Sequence, residues 1–92
     1  MYLHIGNDFI VNSRNVVGIF DIENSSTSAI TRDYLAAAEK NRRVIYCTYE
    51  LPKSFVVCFD ENTLEERVYI SQLSCATLLK RSKKAAFKEF SL

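Results

Sequence analysis

The first twenty-two residues show the apolar and polar pattern of three short strands. Tyr2–Ile5 alternates between two faces, and a Gly-Asn-Asp turn separates it from a second strand at Phe9–Val11. A third strand follows at Val16–Ile22 after a polar turn. Within it, Gly18 predicts a β-bulge or a close approach of the backbone to another part of the chain.

The clearest helix in the sequence lies at Ile30–Lys40. Apolar residues recur there at helical spacing, with Ile30 followed by Tyr34, Ala37 and Ala38. A Ser/Thr cluster at 25–28 supplies candidate N-caps, and Asn41 is a suitable place for the helix to end.

Two further strands are predicted at Val44–Tyr49 and Phe55–Phe59, and a short last strand at Arg67–Ile70. The loop between the first two contains Pro52 and Lys53. It is predicted to close a β-hairpin, and it could also present Lys53 to a partner.

A second helix is predicted from a cap at Ser71 to about Arg81, with Ile70 packing against Cys75. The chain is short enough to form one domain, assigned to residues 1–82. Residues 83–92 are then a basic C-terminal tail or an extension of the helix. The expected fold is α+β: a small, mainly antiparallel sheet of about five to six strands with two helices.

The predicted central strands are apolar on both faces, as in Val16–Phe20 and Phe55–Phe59. Such strands need cover on both sides of the sheet, and two short helices supply little of it. A second copy of the chain is the simplest additional cover, which predicts a homo-oligomer. The alternative is a curled sheet that covers itself.

The net charge of +1 gives no whole-molecule reason to bind a polyanion, but the charge is unevenly distributed. Residues 1–79 carry seven Lys/Arg against ten Asp/Glu, whereas residues 80–92 carry five against one. The three cysteines lie in apolar runs without metal-ligand spacing, which predicts buried, reduced thiols in a cytoplasmic protein. The sequence shows no signal peptide and no apolar segment long enough to span a bilayer.

The residue types needed for catalysis are sparse. His4 is the single histidine, and no nucleophile accompanies it in the sequence. The two glycines form no phosphate-binding loop, and the acidic residues near Asp60 do not have calcium-loop spacing. The expectation is therefore a protein that is not an enzyme, with no cofactor, metal ion or small-molecule substrate.

Basic residues are the remaining candidates for chemistry, as contacts to the phosphates of DNA. The candidate DNA-binding residues are Arg14, Arg32, Lys53, Lys80, Arg81, Lys83 and Lys84. Arg42 and Arg43 follow the first helix, where interaction with its dipole is a sufficient explanation.

Several segments in order resemble a known family. They are MYLHIGNDF, RNVVGIFDIE, PKSFVV and SQLSCATLLKR, the last with the spacing S-x-x-S-x-x-x-L-x-x-R. Over about residues 1–82 the sequence resembles the bacterial extracellular-matrix regulatory proteins, the RemA/RemB-like family, and more its RemB-like branch.

The resemblance implies a DNA-binding regulator of matrix and biofilm genes, and the family's better-known branch assembles into rings whose arginine-rich rim holds DNA. Arg14 and Arg32 match basic positions of the better-known branch. That branch then has several arginines in the loop after Thr48-Tyr49, where this chain has one acid, Glu50, and one lysine, Lys53.

Two functions of different class are therefore carried forward. The first is a homo-oligomeric regulator that contacts the phosphate backbone of double-stranded DNA. The second is an oligomeric protein-interaction or structural module that has lost DNA binding. Contact of the Lys-rich, Phe-containing tail with a membrane surface is a third, weaker alternative.

Overall fold

The computed structural model describes residues 1–22 and 28–90, of which 84–90 are described as backbone only. The described residues form six strands and two helices. The elements are β1 (Tyr2–Gly6), β2 (Phe9–Asn12), a 3-10 turn (Ser13–Asn15), β3 (Val16–Asp21), α1 (Ala29–Lys40), β4 (Val44–Tyr46), β5 (Ser54–Asp60), β6 (Glu65–Ser71) and α2 (Cys75–Phe90). The α+β class and two helices are confirmed.

The strands belong to two sheets, which corrects the expectation of one. β1 and β2 form an antiparallel hairpin, and the other four strands lie in the order β3-β5-β6-β4. β5 is antiparallel to both its neighbours, whereas β4 pairs with β6 in parallel. The parallel pairing is possible because α1 carries the chain from the β3 edge of the sheet to the β4 edge.

The expected hairpin between the fourth and fifth strands is wrong. β4 ends at Tyr46, three residues earlier than expected, and the connection to β5 passes over the end of β6, which lies between them. The backbone N–H of Cys47 donates to Ile70, and that of Lys53 donates to Ser71, at 2.8 and 2.9 Å. The loop, residues 47–53, thus crosses over the end of β6 and is fixed to that strand at both ends. We call it the crossover loop.

One face of the four-stranded sheet is covered by α1. Ala38 is completely buried there against Phe55 and Val57 of β5 and Val68 and Ile70 of β6. Of the apolar residues at helical spacing in α1, Ala38 is buried and Tyr34 is half-buried against this face, whereas Ile30 and Ala37 are exposed.

The opposite face is covered by the β1–β2 hairpin and α2. Leu3 and Ile5 of the hairpin and Leu78 of α2 are buried against Val56 and Cys58 of β5. Burial of a side chain such as Leu78 contributes roughly 2–3 kcal/mol to stability. The expectation that the chain lacks cover for this face is corrected, since the hairpin supplies what the helices do not.

The predicted bulge at Gly18 is confirmed. The register between β3 and β5 shifts between Val16 and Gly18. A Cβ at Gly18 would lie 2.7 Å from the ring of Phe20, which is closer than real Cβ contacts. Glycine at this position therefore permits the close approach of that ring.

The cap of α2 differs from the expected one. Ser74 caps the helix, its Oγ accepting from the N–H of Thr77 at 3.1 Å. Ser71 is instead the buried last residue of β6, and its Oγ donates to the carbonyl of Ile5 at 2.5 Å. For α1, Ser28 occupies the cap position, and the other expected caps, 25–27, lie outside the described residues.

The three cysteines are free thiols, and Cys75 is only half-buried, which corrects the expectation that all three are buried. Cys47 and Cys58 are buried, and burial raises the pKa of each to about 11. Among the described residues, no helix is long and apolar enough to cross a membrane.

Candidate nucleic-acid interface

The strand register divides the four-stranded sheet into two ends. At the first, Asp21, Ser54 and Ser71 are neighbours across β3, β5 and β6, and we call it the Ser54 end. At the other, β5 finishes at Asp60 opposite Glu65, and we call it the Asp60 end. Arg14, Arg32 and Lys53 are distributed between these ends.

Arg14 lies at the Asp60 end, in the 3-10 turn directly before β3. The turn is fixed locally, because the side chain of Asn12 accepts from the N–H of Arg14 at 3.0 Å. The N–H and hydroxyl of Ser13 both donate to the carbonyl of Met1, at 2.9 and 3.1 Å. Arg14 is exposed, and its guanidinium makes no ion pair with any described residue. It is a cation on a rigid base, free to contact a phosphate.

Lys53 and Arg32 lie at the Ser54 end. The carbonyl of Lys53 accepts from the N–H of Ile22, just beyond β3, at 3.0 Å. Arg32 is exposed in the first turns of α1, whose start lies beside Phe20 and Phe55 of this end.

Arg14 and Lys53 are therefore separated by the length of β3, about 20 Å for six residues. That distance spans roughly six phosphates along one DNA strand. One subunit can bring both residues to a single DNA strand if that strand runs along β3.

The C-terminal cations form a third group on α2. Lys80, Arg81 and Lys83 are exposed, and the side chain of Lys84 lies outside the described part of the chain. Arg81 reaches back to β1, where its guanidinium donates to the carbonyl of His4 at 3.2 Å. This contact holds Arg81 beside the hairpin, on the face of the sheet opposite α1.

The structure brings three further arginines to the Asp60 end. An open pocket of about 450 Å³ lies there, lined by Arg42, Arg43 and Arg67 together with Glu65 and Glu66. Arg43 is paired with Glu66 at 2.5 Å, and Arg67 with Glu65 at 2.7 Å, so their charges are largely neutralised.

Arg42 is exposed and has no ion-pair partner among the described residues. It lies on the β4 side of this end, roughly 15 Å across the sheet from the β3 side where Arg14 lies. Sequence reasoning missed it as a candidate. Its signal was weak, because a cation after a helix is explained equally well by the helix dipole.

Glu66 also joins α1 to β6. The hydroxyl of Tyr34 donates to its carboxylate at 2.7 Å, and the Arg43 guanidinium lies 6.0 Å from the Tyr34 ring centroid. Burial, and then the neighbouring Glu66 carboxylate, raise the pKa of Tyr34 to about 12. The network fixes the position of Arg43, so that among the described residues at this end Arg14 and Arg42 are the cations without an ion-pair partner.

The crossover loop presents apolar side chains where the resemblance to the better-known branch implies arginines. Tyr49 is fully exposed and Leu51 is 82% exposed, on either side of Glu50. The loop surface is therefore more suited to an apolar partner than to a phosphate.

Comparison with known proteins agrees with the resemblance in the sequence. Residues 2–81 match the family model described as RemA-like, extracellular matrix regulatory protein A-like. The chain is also 37% identical over 82 residues to extracellular matrix regulatory protein B of Bacillus subtilis (strain 168), covering 89% of this chain and 90% of that protein. This chain belongs to the RemA-like family of extracellular matrix regulatory proteins.

Proposed function

We propose that this protein is a cytoplasmic, homo-oligomeric regulator of extracellular-matrix genes that binds double-stranded DNA through phosphate contacts. Its family consists of matrix regulators, which supports the biological role. The observation that supports DNA binding is Arg14, whose exposed guanidinium has no ion-pair partner among the described residues and whose turn is fixed by hydrogen bonds.

One subunit offers few such contacts, and strong salt-dependent binding needs on the order of six to ten. Repetition of Arg14 and the other candidate cations around an oligomer supplies this number of phosphate contacts, because linked weak contacts raise one another's effective concentration. The remaining cations, Arg32 and Lys53 at one end and Lys80, Arg81, Lys83 and Lys84 on α2, are secondary contacts. Since phosphate contacts carry no sequence information directly, specificity comes from DNA shape.

The test is a mobility-shift series in rising salt with Arg14→Ala. The affinity is expected to fall similarly on unrelated duplexes, and the salt dependence to become shallower. Arg67→Ala is the matched control, because it changes the net charge equally but removes a guanidinium already paired with Glu65. An Arg14→Ala protein that binds like the wild type at every salt concentration would exclude Arg14 from the interface.

A second function, a protein-interaction module without DNA binding, is favoured by the exposed Tyr49 and Leu51 and by Glu50 between them. Native mass spectrometry combined with a duplex titration near physiological salt separates the two functions. Assemblies that do not bind DNA would support the protein-interaction module, and assemblies that bind DNA would support the regulator.

A further inference from the structure

An apolar groove lies between the start of α1 and the edge strand β3. It has a volume of about 250 Å³ and is lined by Phe20, Ile30, Thr31, Tyr34, Phe55 and Val57. The Phe20 ring stacks on Phe55 with centroids 5.0 Å apart, forming its floor. Ile30 at its rim is 82% exposed and Phe20 is 41% exposed, so the groove is open to solvent.

The crossover loop is a preformed apolar projection. Backbone hydrogen bonds fix it to β6 at Cys47 and Lys53, and the hydroxyl of Thr48 accepts from the N–H of Glu50 at 2.9 Å. Pro52 adds a fixed backbone angle. Tyr49 and Leu51 therefore project from a rigid support, and little conformational entropy is lost when they are buried.

We infer that the crossover loop of one copy, through Leu51 and Tyr49, docks into the apolar groove between Phe20 and Ile30 of a second copy. The inference rests on the proposed homo-oligomer and specifies its interface. In the structure the loop and groove of one chain both stay exposed, so a chain's own loop does not fill its own groove.

The area available is adequate for such a contact. If a fully exposed side chain of this size presents about 200 Å², the loop side and the groove side together expose on the order of 700 Å² of apolar surface. The loop side consists of Tyr49 and Leu51 with the neighbouring Tyr46, and the groove side of Phe20 and Ile30. Flanking polar atoms bring the total near the roughly 1,000 Å² that a specific interface requires.

The contact is heterologous, because different surfaces of the two copies meet. Each copy keeps one free loop and one free groove, so further copies add head to tail and form a closed ring or an open filament. A two-fold contact, in which the same surface of both copies meets, is the opposing arrangement.

Two single variants and their mixture test the arrangement. Leu51→Asp removes the loop contact and keeps the groove, whereas Ile30→Asp alters the groove and keeps the loop. Both side chains are 82% exposed, so the folded subunit is expected to persist, as checked by circular dichroism. Sedimentation velocity should show each variant alone as a monomer, with self-association at least about 10-fold weaker.

The mixture of the two variants is expected to form a 1:1 heterodimer and nothing larger, since one intact loop and one intact groove remain. Leu64→Asp is the control: Leu64 is 75% exposed but lies in the turn at the Asp60 end, and this variant should assemble like the wild type.

The outcomes separate this inference from the proposed function. Monomeric variants whose mixture yields no heterodimer would overturn the loop-in-groove contact, as would single variants that assemble normally, while the oligomer itself would stand. A wild-type protein that stays monomeric at high concentration would overturn the oligomer and the contact together.

Discussion

Glu66 shows at the scale of single residues how two elements are joined. Its carboxylate accepts hydrogen bonds from the hydroxyl of Tyr34 in α1 and from the guanidinium of Arg43, which follows the end of α1. Its side chain is 37% exposed, so water competes for the carboxylate and the contribution to stability is modest.

We expect Tyr34→Phe to lower the free energy of unfolding by about 1 kcal/mol, because it removes a hydrogen bond to a charged group. Urea titration at pH 7 measures the change. Tyr46→Phe is the matched control, since its hydroxyl lies 3.3 Å from Glu39 at an exposed site, and it should change stability by only a few tenths of a kcal/mol. Equal effects of the two substitutions would show that the Glu66 bond adds nothing.

The stability difference between the wild type and Tyr34→Phe is also expected to depend on pH. The pKa of Tyr34 is about 12 in the folded state against 10 for an ordinary tyrosine, so folding favours the protonated phenol. Its contribution is complete below pH 10 and is lost as the pH rises to 12. The stability difference between wild type and Tyr34→Phe should therefore shrink across that window.

At the scale of elements, α1 ends in a Schellman motif without glycine. The N–H of Arg43 bonds to the carbonyl of Ala38 at 2.8 Å, and that of Arg42 to Glu39 at 3.0 Å. Arg42 has φ +58°, the left-handed conformation in which a Cβ is unfavourable. The chain thus has an exposed arginine where glycine would be more stable.

Arg42→Gly is expected to raise the free energy of unfolding by about 0.5–1 kcal/mol, because it relieves this conformation. Arg42→Ala is the control, since it removes the same charge but keeps the Cβ and should give no gain. Thermal and urea unfolding measure both. A gain of equal size in the alanine variant would attribute the effect to charge instead of backbone strain.

The elements that could be predicted are those whose pattern is local. Helical spacing placed α1 within one residue of its observed start, and Gly18 signalled the bulge in β3. The partner of β4 could not be predicted, because a turn-like loop between two apolar runs resembles a hairpin. Pairing with β6 depends on where α1 delivers the chain, which is a tertiary property.

The candidate DNA-binding residues also include some features that the sequence could predict and others that it could not. Exposure of Arg14 follows from its polar turn, and the sequence was sufficient to identify it. The contact of Arg81 with His4 joins residues at opposite ends of the chain, and the pairing of Arg43 with Glu66 joins a helix end to a strand. No local pattern indicates which cations such contacts occupy.

For the whole molecule, the subunit covers both faces of its own sheet. The proposed self-association therefore rests on the exposed loop and groove and not on a missing layer of the core. A subunit that has lost these contacts should remain folded, which allows the contribution of assembly to DNA binding to be measured.

We expect the Leu51→Asp monomer to bind DNA with a logarithmic salt slope of only about 1–3, since the slope approximates 0.9 per phosphate contact and one subunit supplies few. The wild-type assembly should show a slope at least twofold steeper, and Leu64→Asp should match it. Fluorescence anisotropy with a labelled duplex at several salt concentrations provides the values. Equal slopes for monomer and assembly would show that a single subunit makes all the contacts.

The pairing of Val44 with Val68 also has a consequence for biosynthesis. The ribosome releases β4 before its ladder partner β6 has been made. Among the described strands of the larger sheet, only β5 and β6 are both consecutive in the chain and paired. Folding of this sheet is therefore expected to nucleate at that late hairpin and recruit β3 and β4 afterwards. Until then the nascent chain carries unpaired apolar segments, and this is the stage at which a chaperone would protect it from aggregation.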